Sequence, residues 1–137
     1  MLQINIVSSE GNNAYVSDEG RGPLIANGQS AGQKDVFGMQ IESWPQYGGA
    51  RVIFKSDRKF VVVQDQGEEP ATLGLSTTKS GDASLFQLTK PGVETWSFQS
   101  VANQQFVSCV GNPNETLYAD KPDQASADAF KLIVPLA

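Results

Sequence analysis

The sequence predicts an all-β chain made of three like units. Three observations carry this: one phrase occurs three times, apolar and polar residues alternate over short runs, and turn-forming residues separate those runs. The phrase is an apolar pair one residue apart, a fixed interval, then Phe followed two residues later by another apolar residue. It reads Leu24, Ala26, Phe37, Met39 in the first copy and Leu73, Leu75, Phe86, Leu88 in the second. The third copy is Leu117, Ala119, Phe130, Leu132. Eleven residues separate the second member from the Phe in every copy, and the Phe residues are 49 and 44 apart in a chain of 137.

Aligning the copies extends the repeat upstream. Ile4 and Ile6 correspond to Val52 and Phe54 and to Trp96 and Phe98; then come Tyr15-Val16, Phe60-Val61 and Phe106-Val107. Each copy therefore holds four strand-like segments. They fall near 4–7, 14–17, 24–26 and 36–41, then 51–55, 59–63, 72–76 and 85–89, then 95–99, 105–109, 116–119 and 129–134. Phe37, Met39 and Ile41 make one apolar face of a strand, and Phe86 with Leu88 and Phe130 with Leu132 and Val134 repeat it, so all are read as core, as are Trp96 and Phe98. The connections 27–35, 76–84 and 120–128 each have nine residues, the mark of a structural loop. The connections after the second strand of each copy differ, and variable loops on a rigid frame are the usual place for recognition.

Twelve strands in three pseudo-threefold repeats, about 1–47, 48–94 and 95–137, must share one core, because a unit of this size cannot bury its own apolar face. The pattern resembles a β-trefoil: six barrel strands capped by three hairpins, in a single domain over 1–137. The Tyr15-Val16, Phe60-Val61 and Phe106-Val107 pairs, each followed by a short apolar strand and Phe-x-Met/Leu, are most similar to the fascin-like branch. The fold implies little about activity, since it hosts lectins, growth factors, actin binders and protease inhibitors.

Composition excludes several classes. Apolar content of 39% with 18% charged residues fits a folded globule rather than a disordered chain. A net charge of −5 with scattered cations argues against nucleic acid and against anionic membrane surfaces. No apolar run is long enough to span a bilayer. Met1-Leu2-Gln3-Ile4-Asn5-Ile6 lacks the basic-then-apolar form of a signal peptide, which points to the cytoplasm or to export without one. The single cysteine, Cys109, precludes an internal disulfide and reads as a small buried or half-buried thiol. No His is present, which removes the commonest general base and zinc ligand. No calcium or phosphate loop motif occurs, and Asp120, Asp123 and Asp128 are too loosely spaced for a metal. The expectation is therefore a non-enzyme with no metal and no cofactor.

Two segments are candidate binding sites. In 17–23, Gly20 and Gly22 flank Arg21, with Asp18 and Glu19 before them and Pro23 fixing the exit. Such a loop can push one long side chain into a cleft on little backbone. The chain is similar in size and charge to small acidic β-trefoils of fungi that inhibit cysteine proteases through loops, and this resemblance implies a defence protein that blocks proteases reversibly. Cysteine, aspartic or serine proteases are the leading partners, with Arg21 projecting. The second segment holds Trp44 and Tyr47, aromatics with no counterpart in the other copies. They suit a stacking platform for a sugar, an interface in a homodimer, or a fold over the barrel end. A glycan-binding lectin is the alternative function, although the Gln-x-Trp of ricin-B-like lectins is replaced by Phe37-Gly38-Met39, Phe86-Gln87-Leu88 and Phe130-Lys131-Leu132. An actin-binding or scaffold role is the third.

Overall fold

Short alternating runs with Gly, Pro, Asn and Asp between them become strands joined by turns. The computed structural model describes residues 2–8, 15–17, 24–28, 36–43, 50–56, 58–64, 71–77, 81–92, 95–112 and 115–133. Twelve strands form among these residues. The first repeat holds β1 (Leu2–Ser8), β2 (Tyr15–Ser17), β3 (Ile25–Gly28) and β4 (Val36–Ser43). The second holds β5 (Ala50–Ser56), β6 (Lys59–Gln64), β7 (Thr72–Ser76) and β8 (Phe86–Gly92). The third holds β9 (Thr95–Ser100), β10 (Phe106–Ser108), β11 (Tyr118–Lys121) and β12 (Phe130–Ile133). Every strand read from the repeat has its counterpart here. Three run into the intervals read as loops: β3 reaches Gly28, β7 reaches Ser76 and β11 reaches Lys121. A 3-10 turn at Gly81–Ser84 lies in the interval 76–84, with the Ser84 hydroxyl donating to the Gly81 carbonyl at 2.9 Å.

Six strands close a ring. β1 pairs β4, β4 pairs β5, β5 pairs β8, β8 pairs β9, β9 pairs β12, and β12 returns to β1, all antiparallel. A closed ring has no edge strand left to pair with another chain. The other six strands form three hairpins, β2–β3, β6–β7 and β10–β11. These meet at one end of the barrel through backbone hydrogen bonds, three of which follow the threefold symmetry. The amide of Leu24 donates to the carbonyl of Leu73 at 2.7 Å, that of Leu73 to Leu117 at 3.1 Å, and that of Leu117 to Leu24 at 3.0 Å. The three leucines of the repeated phrase thus form a cyclic triangle about the pseudo-threefold axis, which is the β-trefoil arrangement.

The core follows the same symmetry. Phe37, Phe86 and Phe130 are each fully buried, and Val16, Val61 and Val107 lie among the hairpins with them. Phe54 packs its ring against Phe86 at 5.9 Å and Phe98 at 5.5 Å, and Phe98 stacks on Phe130 at 4.8 Å. Burial fades away from the capped end. Along β4, Phe37 is buried, Met39 is partly buried, and Ile41 is 46% exposed next to a bulge in the β4–β5 ladder. The apolar alternation therefore outruns the barrel: Ile41 belongs to the surface rather than the core. Trp96 is partly buried against the core rather than enclosed by it, and Val134 lies outside the described residues.

Truncating one ring of the aromatic layer should be costly because the closed barrel cannot collapse around the void. Phe86→Ala is expected to lower unfolding free energy by about 3–5 kcal/mol. Urea denaturation should show this as a lower midpoint at unchanged slope.

Candidate functional site

Both segments singled out in the sequence, Asp18, Glu19, Gly20, Arg21, Gly22 and Pro23 in one and Trp44 and Tyr47 in the other, lie outside the described residues. The described surface brings a different set of side chains together on the hairpin cap, at the boundary between the second and third repeats. Gln64 stands opposite Thr72, Thr72 opposite Tyr118, and Tyr118 opposite Ser108. Directly opposed residues of antiparallel strands share a face, so these four side chains form one row across β6, β7, β11 and β10. Their neighbours Val63, Leu73, Leu117 and Val107 are in the core. Alternation then puts the row on the outer face.

The middle of the row is its tightest part. The Leu73 amide donates to Leu117 at 3.1 Å and the Ala119 amide to Ala71 at 2.8 Å, on either side of the Thr72–Tyr118 pair. That makes it a non-hydrogen-bonded pair, the kind whose side chains stand closest. Gln64, Thr72 and Tyr118 are partly exposed, whereas Ser108 is buried. Gly74 lies two residues beyond Thr72 on the same face. A Cβ there would meet the Gln64 carboxamide, with its Nε2 at 2.8 Å, so this glycine is what lets the carboxamide lie across the strand.

Asp120, two residues past Tyr118, extends the row. Its Oδ1 accepts the Ser108 hydroxyl at 2.8 Å. Asn112 braces the same spot from the hairpin loop, its Nδ2 reaching Ser108 Oγ at 3.2 Å, the Ser108 carbonyl at 3.1 Å and the Thr116 carbonyl at 2.8 Å. Gly111, at φ 84°, supplies the left-handed turn that aims Asn112 back at its strands. One aromatic ring, one carboxylate, two amides and the Thr72 hydroxyl thus share a partly exposed surface on fixed backbone, with the buried Ser108 hydroxyl beneath them.

The aspartates of the third repeat act singly. The Asp128 carboxylate, nearly buried, accepts the amides of Cys109 at 2.5 Å and Val110 at 2.9 Å, tying the β10–β11 loop to the start of β12. Asp123 accepts the Ser126 hydroxyl at 2.8 Å and amide at 2.9 Å, which hold its carboxyl below the usual range. Among the described residues no three His, Cys, Asp or Glu lie together as a metal site. Cys109 is buried, as its setting in the sequence suggested. Burial pushes its thiol from 9.0 up to about 12; a hydrogen bond with Ser8 works against that rise and the Asp128 charge adds to it.

With this geometry, the class defined by the fold is a β-trefoil with a polar, ring-bearing outer face on its cap. Solved structures share the fold. A designed 3-fold symmetric protein, ThreeFoil, is similar over 96% of this chain and 97% of its own at 10% identity, with a TM-score of 0.76. A mosquitocidal holotoxin is similar over 98% of this chain at 8% identity and a TM-score of 0.77, and this chain spans 17% of it. SeviL, in a structure with asialo-GM1 saccharide, is similar over 99% of both chains at 15% identity and a TM-score of 0.73. Identities this low carry the fold alone and do not select the fascin-like branch. No family model and no curated protein matches the sequence.

The row is missed from the sequence because the repeated phrase counts the apolar pairs and not the residue between their members. That residue is Ile25, Gly74 and Tyr118 in the three copies. The lone ring among them was the available signal.

The thiol supplies a test of the local packing. In the unfolded chain it loses its proton near 9.0, but the folded protein holds the proton to about 12. Its contribution to stability is therefore complete below pH 9 and is lost as the pH rises from there toward 12. Thermal unfolding should weaken more steeply over that interval in the parent than in Cys109→Ala. At pH 8, iodoacetamide should modify Cys109 in urea but not in the native protein.

Proposed function

We propose that the protein is a non-catalytic carbohydrate-binding β-trefoil whose site is the row Gln64, Thr72, Tyr118 and Ser108 with Asp120 and Asn112. The observation that carries the reading is the composition of that row. A sugar ring has an apolar face of C–H groups and a rim of hydroxyls. A tyrosine ring offers a matching apolar surface at low entropic cost. Carboxylate, amide and hydroxyl groups around it accept and donate to the rim, and a carboxylate acceptor gives the stronger, charge-assisted bonds. The backbone below is held by the leucine triangle and the Asn112 and Asp128 bonds, so little order has to be imposed on binding. The saccharide in the SeviL structure, on a chain of the same fold and length, supports the same reading.

The protease-inhibitor reading rests on the loop 18–23 and on resemblance, and no described contact adds to it. Glycans are therefore the leading partners and proteases the rival.

A glycan array should give a saturable hit. Tyr118→Ala should weaken it about 30-fold, the worth of one central aromatic contact of about 2 kcal/mol, with the melting temperature recorded alongside. Tyr118→Phe should retain most of the binding, since the ring surface is kept. An array without hits, together with protease inhibition that Arg21→Glu with Gly20→Ala abolishes, would replace the carbohydrate reading with the inhibitor one.

A further inference from the structure

The scaffold has three equivalent boundaries between repeats, and the row can be followed at each. At the boundary of the third repeat with the first, Ser17 stands opposite Ile25 and Ile25 opposite Thr116. These are the counterparts of Ser108, Tyr118 and Thr72, because Leu24, Leu73 and Leu117 are equivalent in the triangle. The counterpart of Gln64, counted from the matching Val61 and Val107, is Val110, which is 44% exposed. Serine and threonine are thus kept at this boundary, while the ring and the amide are replaced by two aliphatic side chains. At the boundary of the first repeat with the second, Val62 stands opposite Gly74, so the ring position has no side chain at all.

Among the described residues, only one of the three boundaries therefore joins an aromatic surface to amide and carboxylate groups. It also carries Asp120, in a chain of net charge −5. A ligand seated against that carboxylate meets repulsion if it is an anion and a hydrogen-bond acceptor if it is a hydroxyl. We infer that the protein is monovalent: each chain takes one uncharged saccharide, at the boundary of the second and third repeats, and discriminates against acidic sugars. The inference rests on the carbohydrate reading and adds number, place and charge class to it. A monomer of this valency binds glycans without cross-linking the surfaces that bear them.

The test is a titration of the 15N-labelled chain, followed by amide shifts, with methyl β-galactoside, methyl α-mannoside, N-acetylglucosamine and N-acetylneuraminic acid in turn. The expected result is a shift footprint centred on Gln64, Thr72, Ser108, Tyr118 and Asp120 for at least one of the three neutral sugars. Calorimetry with that sugar should give one site per chain, and N-acetylneuraminic acid should bind at least tenfold more weakly. Ile25→Tyr with Val110→Gln copies the missing ring and amide beside Thr116 and Ser17, and should raise the stoichiometry from one to two. Footprints at two or three boundaries in the parent chain would overturn monovalency while leaving the carbohydrate reading intact. Equal or tighter binding of N-acetylneuraminic acid would overturn the charge class alone. No shifts with any of the four sugars would overturn the carbohydrate reading and this inference together.

Discussion

The three-membered ring of backbone hydrogen bonds among Leu24, Leu73 and Leu117 is the constraint from which the rest follows. Each leucine donates to one repeat and accepts from the other, so every copy is tied to both of its partners by the same residue. These groups lie deep in the protein, where an unmade bond leaves a desolvated amide or carbonyl at a cost of about 1–3 kcal/mol. The side chains of the same leucines are buried below the ring. One residue per repeat therefore satisfies a polar requirement through its backbone and an apolar one through its side chain.

Once the leucines are placed, their neighbours have no freedom of direction. Alternation along β3, β7 and β11 sends Ala26, Leu75 and Ala119 to the core side and Ile25, Gly74 and Tyr118 to the other. The symmetric interior is under pressure to stay alike in all copies, as Phe37, Phe86 and Phe130 show. The outer positions have no such duty and have diverged to an aliphatic residue, no side chain and a phenol. Function can reside in the breaking of a symmetry that stability requires to be kept.

Most of the fold was legible because both of its signals are periodic. The fixed interval from Ala26, Leu75 and Ala119 to the following Phe reports a connection of constant geometry, and period-two alternation reports strands. Ile41 shows where periodicity misleads. Its spacing from Phe37 and Met39 says core, but the barrel ends before the alternation does, and a sequence does not display the height of a barrel. The site was less legible for a related reason. Gln64, Thr72, Tyr118 and Ser108 come from four strands, and only pairing across a repeat boundary makes them neighbours. The one clue in the primary structure was a mismatch among aligned copies at Tyr118, and the eye that looks for repeats discounts mismatches.

The seam between β1 and β12 has a consequence for how the chain comes to be folded. Asn5 pairs with Ile133 and Ser8 with Phe130, so the first strand finds its second neighbour only in the last one. A ribosome delivers these two strands with the other ten between them, and until β12 emerges β1 presents an open flank of unpaired amides and carbonyls. Contacts so distant along the chain place such a fold among slow folders, on the order of milliseconds to seconds. The barrel that abolishes its edges when finished carries one through most of its own production.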